Sequence, residues 1–147
     1  METIEFHGHN GDYFRLTIEE VQGFPKETSP FGGYETQSTI EIKSGSYAVK
    51  GNVWITTGNI YSLYERLLKC QETISGFARL DSYENNLSIL FEYNKFGSVT
   101  IKGQYTENYI LETCLNFKIL SDQSFIQQSI NSLEEIYQKY GDNLGKR

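Results

Sequence analysis

The only two histidines of the chain form the tripeptide His7-Gly8-His9, which is the first place to look for metal chemistry. In an extended strand, residues two positions apart project from one side, so both imidazoles can reach one metal ion. Glu5 and Asp12 are near enough in the sequence to add a carboxylate ligand. A metal site needs three or four converging ligands, however, and only two are spaced for it. His7 lies two residues after Glu5 and therefore on the same, predicted polar face of the strand. We interpret the histidines as solvent-exposed and predict no metal site and no cofactor.

The two cysteines also lack the spacing of a reactive or metal-binding site. Cys70 lies in a predicted helix and Cys114 in a predicted strand, and neither belongs to a CxxC motif or a Cys/His cluster. We interpret both as small buried hydrophobic residues in a reducing compartment.

Groups that could act as a nucleophile with its base, or as an acid/base pair, are absent from the sequence pattern. A Ser/His/Asp or Cys/His arrangement would have to use the tripeptide at residues 7–9, and no GxSxG, GxxxxGK[ST] or GxGxxG motif occurs. The adjacent carboxylates Glu19-Glu20 and Glu134-Glu135 diverge from each other on a strand and on a helix, respectively. The sequence therefore predicts a protein that is not an enzyme.

The net charge of the chain indicates which kinds of partner it could bind. The chain carries 13 Lys and Arg against 19 Asp and Glu, a net charge of −6, and its basic residues are thinly spread. Direct binding of DNA or RNA normally requires a basic stripe, so we exclude it. An acidic protein fits a basic protein partner, although solubility alone also accounts for the charge. No apolar run approaches the ~20 residues of a membrane span, and the N-terminus lacks the pattern of a signal peptide, so we expect a cytoplasmic protein that does not contact a membrane.

The elements that must position any site follow from hydrophobic periodicity. The 147 residues predict a single domain, 1–147, in which four strands, a helix, about four more strands and a second helix follow in order. We predict an α+β fold, with an antiparallel, strongly twisted sheet of seven or eight strands and two helices packed on one of its faces. The subdivision is an N-terminal hairpin at 1–21, a loop at 22–35, sheet and helices at 36–141, and a frayed tail at 142–147.

Two features of the helices follow from capping signals. The first helix is predicted over about 59–73, with a capping box of Ser62 and Glu65 or a cap at Asn59 one turn earlier. The second is predicted to begin after Asp122 or Ser121 and to end at Gly141. Before it, a meander of three strands runs from Leu87 to Leu120.

The loop at residues 22–35 is the candidate contact surface. It holds both prolines of the chain together with three glycines, and it carries aromatic side chains. Such aromatics either fold back onto the edge of the domain or form an exposed contact patch. On the second alternative, the candidate partner-binding residues are Phe24, Glu27, Phe31, Tyr34 and Glu35. The Tyr-rich composition, 11 Tyr and 9 Phe, likewise fits either half-buried strand faces or a partner surface.

The region from Ser44 to Gly141 resembles the WapI-like family of small bacterial immunity proteins. The resemblance is a serial pattern of short motifs, in which the last strand is followed by a helix that opens at Ser121-Asp122-Gln123. The motifs are, in order, Val53-Trp54-Ile55-Thr56, the helix from Ile60 to Leu67, Glu84-Asn85-Asn86-Leu87-Ser88-Ile89, the strand from Gly97 to Ile101 and the strand from Leu115 to Ile119. The family's Pro-Cys-Leu-like segment and Pro-Pro pair are missing here.

The resemblance implies a function that the residues alone do not. Such proteins are encoded beside polymorphic or contact-dependent toxins and bind the toxin domain, so the implied mechanism is occlusion of a cognate toxin and the family implies no catalytic residues. The acidic charge of this chain fits a basic, nuclease-like toxin. Two alternatives stay open from the residues themselves: a small-ligand or metal-binding module, and a homodimer formed through Tyr-rich strand faces.

Overall fold

The computed structural model describes residues 1–146, which form eight strands and two helices. The strands are Glu2–His7 (β1), Tyr13–Gln22 (β2), Glu35–Ser44 (β3), Tyr47–Thr56 (β4), Phe77–Asp81 (β5), Leu87–Tyr93 (β6), Ser98–Asn108 (β7) and Thr113–Asp122 (β8). The helices are Thr57–Thr73 (α1) and Gln123–Tyr140 (α2). The predicted α+β class and the order of elements are confirmed.

The strands form two sheets where one was predicted. Strands β1 to β4 pair in sequence order in one antiparallel sheet, which we call the first sheet, and β5 to β8 pair in the same way in the second sheet. The other neighbouring strands are joined by hairpin connections that keep them in register, whereas the 17 residues of α1 lie between β4 and β5. The sheet is therefore divided at α1.

Each helix packs across the boundary between the two sheets. Helix α1 packs on β5, the edge strand of the second sheet, and α2 packs on β1, the edge strand of the first. The helices also contact each other. Because each sheet carries apolar side chains on one face, the two helices and the two buried faces enclose a common hydrophobic core. Phe6 of the first sheet meets Phe91 of the second within it, with ring centroids 4.8 Å apart.

The helix starts follow capping rules, but α1 begins earlier than predicted. Thr56 is its N-cap and forms a capping box with Asn59: the Thr56 Oγ1 accepts the Asn59 N–H at 3.0 Å, and the Asn59 Oδ1 accepts the Thr56 N–H at 3.0 Å. The caps predicted at Ser62 or Asn59 are wrong, since the N-cap lies six residues before Ser62 and Asn59 is the third residue of the helix. Helix α2 has Asp122 as its N-cap, as predicted, with the carboxylate accepting the Phe125 N–H at 2.9 Å.

Three predictions about individual residues differ from the structure. Cys114 is exposed rather than buried, because it points to the outer face at the beginning of β8, whereas Cys70 is buried as expected. Leu111, predicted inside the third strand of the meander, lies in the turn between β7 and β8 and is exposed. The tail over 142–146 is not frayed but folds back on the chain: the Asn143 carbonyl accepts the Gly33 N–H at 2.7 Å, and Lys146 donates to the Gln138 carbonyl. Arg147 lies outside the described residues.

Candidate functional site

The loop between β2 and β3, residues 23–34, is fixed at its C-terminal end by Tyr34. This side chain is only 1% exposed, and its hydroxyl donates to the Pro25 carbonyl at 2.8 Å while accepting the Lys146 N–H at 2.9 Å. The Tyr34 N–H donates to the Thr57 Oγ1 at 2.8 Å. Tyr34 therefore joins the loop to the tail and to the start of α1, and it cannot itself contact a partner in this conformation.

The loop backbone also lies directly against the first turn of α1. Gly33 has φ +69°, and a Cβ atom at this position would stand 2.4 Å from the Gly58 nitrogen. In the other direction, a Cβ on Gly58 would stand 2.5 Å from the Gly32 carbonyl oxygen. Only glycine allows both the left-handed conformation of Gly33 and this close approach, so the two glycines define where the loop meets the helix.

Phe24 and Phe31 take opposite positions. Phe24 packs edge-to-face on Tyr34 and on Tyr140, with ring centroids 5.2 and 5.0 Å away, and is partly exposed. Phe31 is 59% exposed and stacks face to face on Tyr83, with centroids 4.7 Å apart and rings 5° from parallel. Tyr34 and in part Phe24 thus fold inward, whereas Phe31 stays at the surface.

The two carboxylates of the candidate set are brought together. Glu27 lies in the loop and Glu35 begins β3, opposite Gln22, and both line one open recess of about 200 Å³. The Ser29 hydroxyl is 3.4 Å from Glu35 Oε1. A recess of this size with two carboxylates fits the end of a Lys or Arg side chain.

Tyr83 and Glu84 belong to the same surface but were missed by sequence reasoning. Burial, and after it the charges of Glu35 and Glu84, raise the pKa of the Tyr83 phenol. The residues come from the connection between β5 and β6, far from the loop in sequence. The signal available was the Tyr-Glu pair in a polar segment between two strands, but nothing in the sequence places that segment beside Phe31.

A further depression, of about 520 Å³, has Phe31 among its lining residues. Its walls come from the loop, the first turns of α1 and the tail. They are uncharged: Thr28, Ser29, Pro30, Phe31, Gly32, Gly58, Asn59, Ser62, Asn143 and Leu144. Phe31 thus both lines this depression and stacks on Tyr83. We define the loop surface as the following residues: Phe24, Glu27, Phe31, Glu35, Tyr83 and Glu84.

The two histidines have different neighbours. The His7 Nε2 lies 2.8 Å from the Glu5 carboxylate on the outer face of the first sheet. His9 lies 3.7 Å from the Asp122 carboxylate and packs edge-on against Phe125, with centroids 5.5 Å apart. Among residues 1–146, no three His, Cys, Asp or Glu side chains converge as a metal site would require.

Comparison with known proteins gives one finding. The model of the immunity protein WapI-like family matches residues 5–141. No curated protein and no solved structure matches the chain. Within the described part of the chain, neither helix combines the length and apolar character that a membrane crossing requires.

The match extends over nearly the whole chain and includes both sheets and both helices. It therefore covers every element that builds the loop surface, including the part of the chain before Ser44. The chain belongs to the WapI-like family of immunity proteins.

Proposed function

We propose that this protein is a non-enzymatic immunity protein of the cytoplasm, which binds a cognate toxin domain and neutralises it by covering the toxin's working surface. The observation that carries the proposal is the family match over residues 5–141. Occlusion requires a rigid, complementary surface rather than a reactive group, and the loop surface is of this kind because Tyr34, Gly33 and the tail hold it to the core.

The loop surface supports a specific mode of contact. Phe31 supplies an exposed aromatic ring backed by Tyr83, and aromatic residues are enriched at the centres of protein interfaces. Glu27 and Glu35 supply an adjacent recess for a basic side chain. Tyr34, one of the residues predicted to bind the partner, acts here by shaping the loop from beneath.

The charge of the partner follows from the same residues. The loop surface contains Glu27, Glu35 and Glu84, and the chain has no Lys or Arg between residues 27 and 35, so this part of the surface is acidic. A toxin domain that acts on nucleic acid carries a basic surface to bind phosphates. An acidic immunity protein would be steered toward such a surface and would compete with its substrate.

The experiment that tests the function is co-expression of this gene with its immediate upstream neighbour, whose product we expect to be the toxin. Growth should be restored and the two proteins should co-purify. A neighbouring product that is toxic but neither neutralised nor bound would contradict the proposal.

The contact surface is tested with charge reversals. Glu27→Lys should lower the association rate at low salt by roughly tenfold, because it places a like charge opposite the basic partner. Glu72→Lys, an exposed glutamate near the end of α1, is the matched control and should leave the rate unchanged. Equal rates for both variants would remove Glu27 from the interface.

A further inference from the structure

The turn between β7 and β8 exposes three consecutive large apolar side chains, Tyr109, Ile110 and Leu111. Ile110 is 92% exposed and Leu111 is 74% exposed. Single apolar residues at a surface are ordinary, but a run of three at the tip of a hairpin costs solubility unless a partner covers it. The turn therefore has the apolar composition of a contact segment rather than the polar composition of an ordinary surface turn.

This turn is held in place rather than loose. The Tyr109 hydroxyl donates to the Asn85 carbonyl, and the Asn108 Oδ1 accepts the Leu111 N–H at 2.9 Å. A bulge interrupts the β7–β8 pairing between Thr106 and Asn108. Glu112 has φ +57°, a conformation that favours glycine and is disfavoured for glutamate. These features fix the tip with Ile110 and Leu111 pointing outward.

The turn is connected to the loop surface through the β5–β6 connection. Asn85, which accepts the Tyr109 hydroxyl, lies two residues after Tyr83, and Tyr83 stacks on Phe31. Phe31, Tyr83 and Tyr109 thus tie three separate connections of the chain into one surface. This continuity was invisible in the sequence, where the three aromatics are far apart.

Carboxylates surround the apolar tip. Glu107 and Glu112 flank it, and Glu84 precedes Asn85 in the neighbouring connection. After burial, the charge of Glu107 is the next cause that raises the pKa of Tyr105 on β7. Residues 80–94 and 103–117 contain no Lys or Arg, so these charges have no basic neighbour within their own segments.

We propose that the β7–β8 turn is the apolar anchor of the toxin-binding surface. Ile110 and Leu111 enter an apolar recess of the toxin domain, and Lys or Arg side chains around that recess face Glu84, Glu107 and Glu112. The proposal rests on the proposed function, which it deepens by naming the anchor and the chemistry of the partner's surface.

The charges favour a toxin over a second copy of this chain. A two-fold dimer formed on this turn would bring the same surface of both copies together. Glu84, Glu107 and Glu112 would then face their own counterparts without basic residues between them, and like charges in an interface cost binding free energy. A basic partner meets no such penalty.

The test is the affinity of the purified protein for the toxin domain that it neutralises in the co-expression experiment. The variant Ile110→Ala/Leu111→Ala should raise Kd at least ~30-fold, the ratio that corresponds to ~2 kcal/mol for an interface hot spot. The matched control is Phe96→Ala, which removes an 82% exposed side chain from the turn at the opposite end of β7. Since β7 has 11 residues, that turn is roughly 35 Å away, and its variant should bind like wild type.

A second arm tests the carboxylates. Glu107→Gln/Glu112→Gln should slow association at low salt and flatten its salt dependence, whereas Glu72→Gln should do neither. Both sets of variants change exposed side chains, so an unchanged melting temperature should accompany the loss of binding.

The outcomes separate this inference from the proposed function. If wild type neutralises the toxin and the Ile110→Ala/Leu111→Ala variant binds equally well, the anchor is refuted and the proposed function stands. If wild type neither binds nor neutralises the toxin, both are refuted. If sedimentation shows a wild-type dimer that this variant abolishes, the occupant is a second copy and the inference is overturned.

Discussion

At the scale of single residues, Arg15 organises the exposed face of the first sheet. Glu5, Arg15, Glu41 and Lys50 lie directly opposite one another across its four strands, so their charges alternate. The Arg15 Nε donates to Glu5 at 2.6 Å, and its Nη1 donates to Glu41. Opposite charges in directly opposed cross-strand positions stabilise a sheet, so this face is explained by folding and does not require a ligand.

Replacement of Arg15 should change how stability depends on pH. The hydrogen bond from Arg15 holds the pKa of the Glu5 carboxyl below its ordinary value of 4.5. A carboxyl with a lowered pKa in the folded state stabilises the protein above 4.5, and this stabilisation is lost as pH falls through the folded-state pKa. In Arg15→Gln most of this contribution is absent, so urea unfolding should show about 1 kcal/mol lower stability at pH 7 and a flatter decline below pH 4.5. The value is small because the three side chains are about one third exposed.

The control for this prediction is Lys102→Gln. Lys102 lies 3.4 Å from Glu92 on the outer face of the second sheet, where both side chains are about half exposed. An ion pair this exposed contributes little to the free energy of unfolding, so this variant should keep the wild-type dependence of stability on pH. An Arg15→Gln profile parallel to wild type across the acid range would refute the role of Arg15.

At the scale of elements, the start of α1 joins the fold to the loop surface. Thr56 caps the helix, Thr57 holds the Tyr34 backbone, and Gly58 lies against the loop. These three consecutive residues thus cap the helix and hold the loop against its first turn. The geometry of the candidate contact surface consequently depends on the first turn of this helix.

Substitution of Gly58 tests that dependence. Alanine at this position would place its Cβ 2.5 Å from the Gly32 carbonyl oxygen, and backbone atoms cannot move aside without displacing the loop. Gly58→Ala should therefore destabilise the protein by roughly 1–3 kcal/mol, as overpacking does, and amide exchange should accelerate at Gly32 and Gly33. Gly11→Ala is the control for overall destabilisation: its φ of +80° makes alanine strained there, but nothing lies within 4 Å of the added Cβ, so amide exchange at Gly32 and Gly33 should stay unchanged. Unchanged exchange in the loop of Gly58→Ala would show that the loop does not depend on the helix.

The elements were also the level at which sequence reasoning succeeded best. Strict alternation in segments such as Phe14, Leu16 and Ile18 identified strands, because one face of each sheet is buried and the other wet. The division into two sheets was not accessible, because periodicity reports which side of a strand is buried and not which strands pair. The early start of α1 was missed because Thr56 serves at once as the end of β4 and as the cap.

The candidate site was predictable only in part, for a related reason. Composition identified the loop and its aromatics, but burial of Tyr34 depends on the tail and on Thr57, and the stacking of Phe31 depends on Tyr83. All of these contacts join residues that are distant in the chain. Local patterns therefore found the segment, and the tertiary contacts decided which of its side chains stay at the surface.

At the scale of the whole molecule, the chain forms two four-stranded sheets, and the helix that follows each sheet packs on an edge strand of the other. Ser129 of α2 donates to the Glu5 carbonyl of β1, and Ser121 donates to the His7 carbonyl at 2.6 Å. On the other side, Gln71 of α1 accepts the Tyr93 hydroxyl of β6 at 2.6 Å and donates to the Gln123 carbonyl at 3.1 Å. Neither half can bury its own apolar face without the element supplied by the other.

This arrangement predicts that the two halves unfold together. Trp54, the only tryptophan, lies on β4 and reports on the first sheet, whereas far-UV circular dichroism reports on all elements. Because both sheets share one core through Phe6 and Phe91, the urea midpoints from the two signals should coincide. Phe91→Ala, which removes a fully buried ring from the second sheet, should lower both midpoints equally through a loss of roughly 3–5 kcal/mol. A fluorescence midpoint that stays in place while the dichroism midpoint falls would show two independent units.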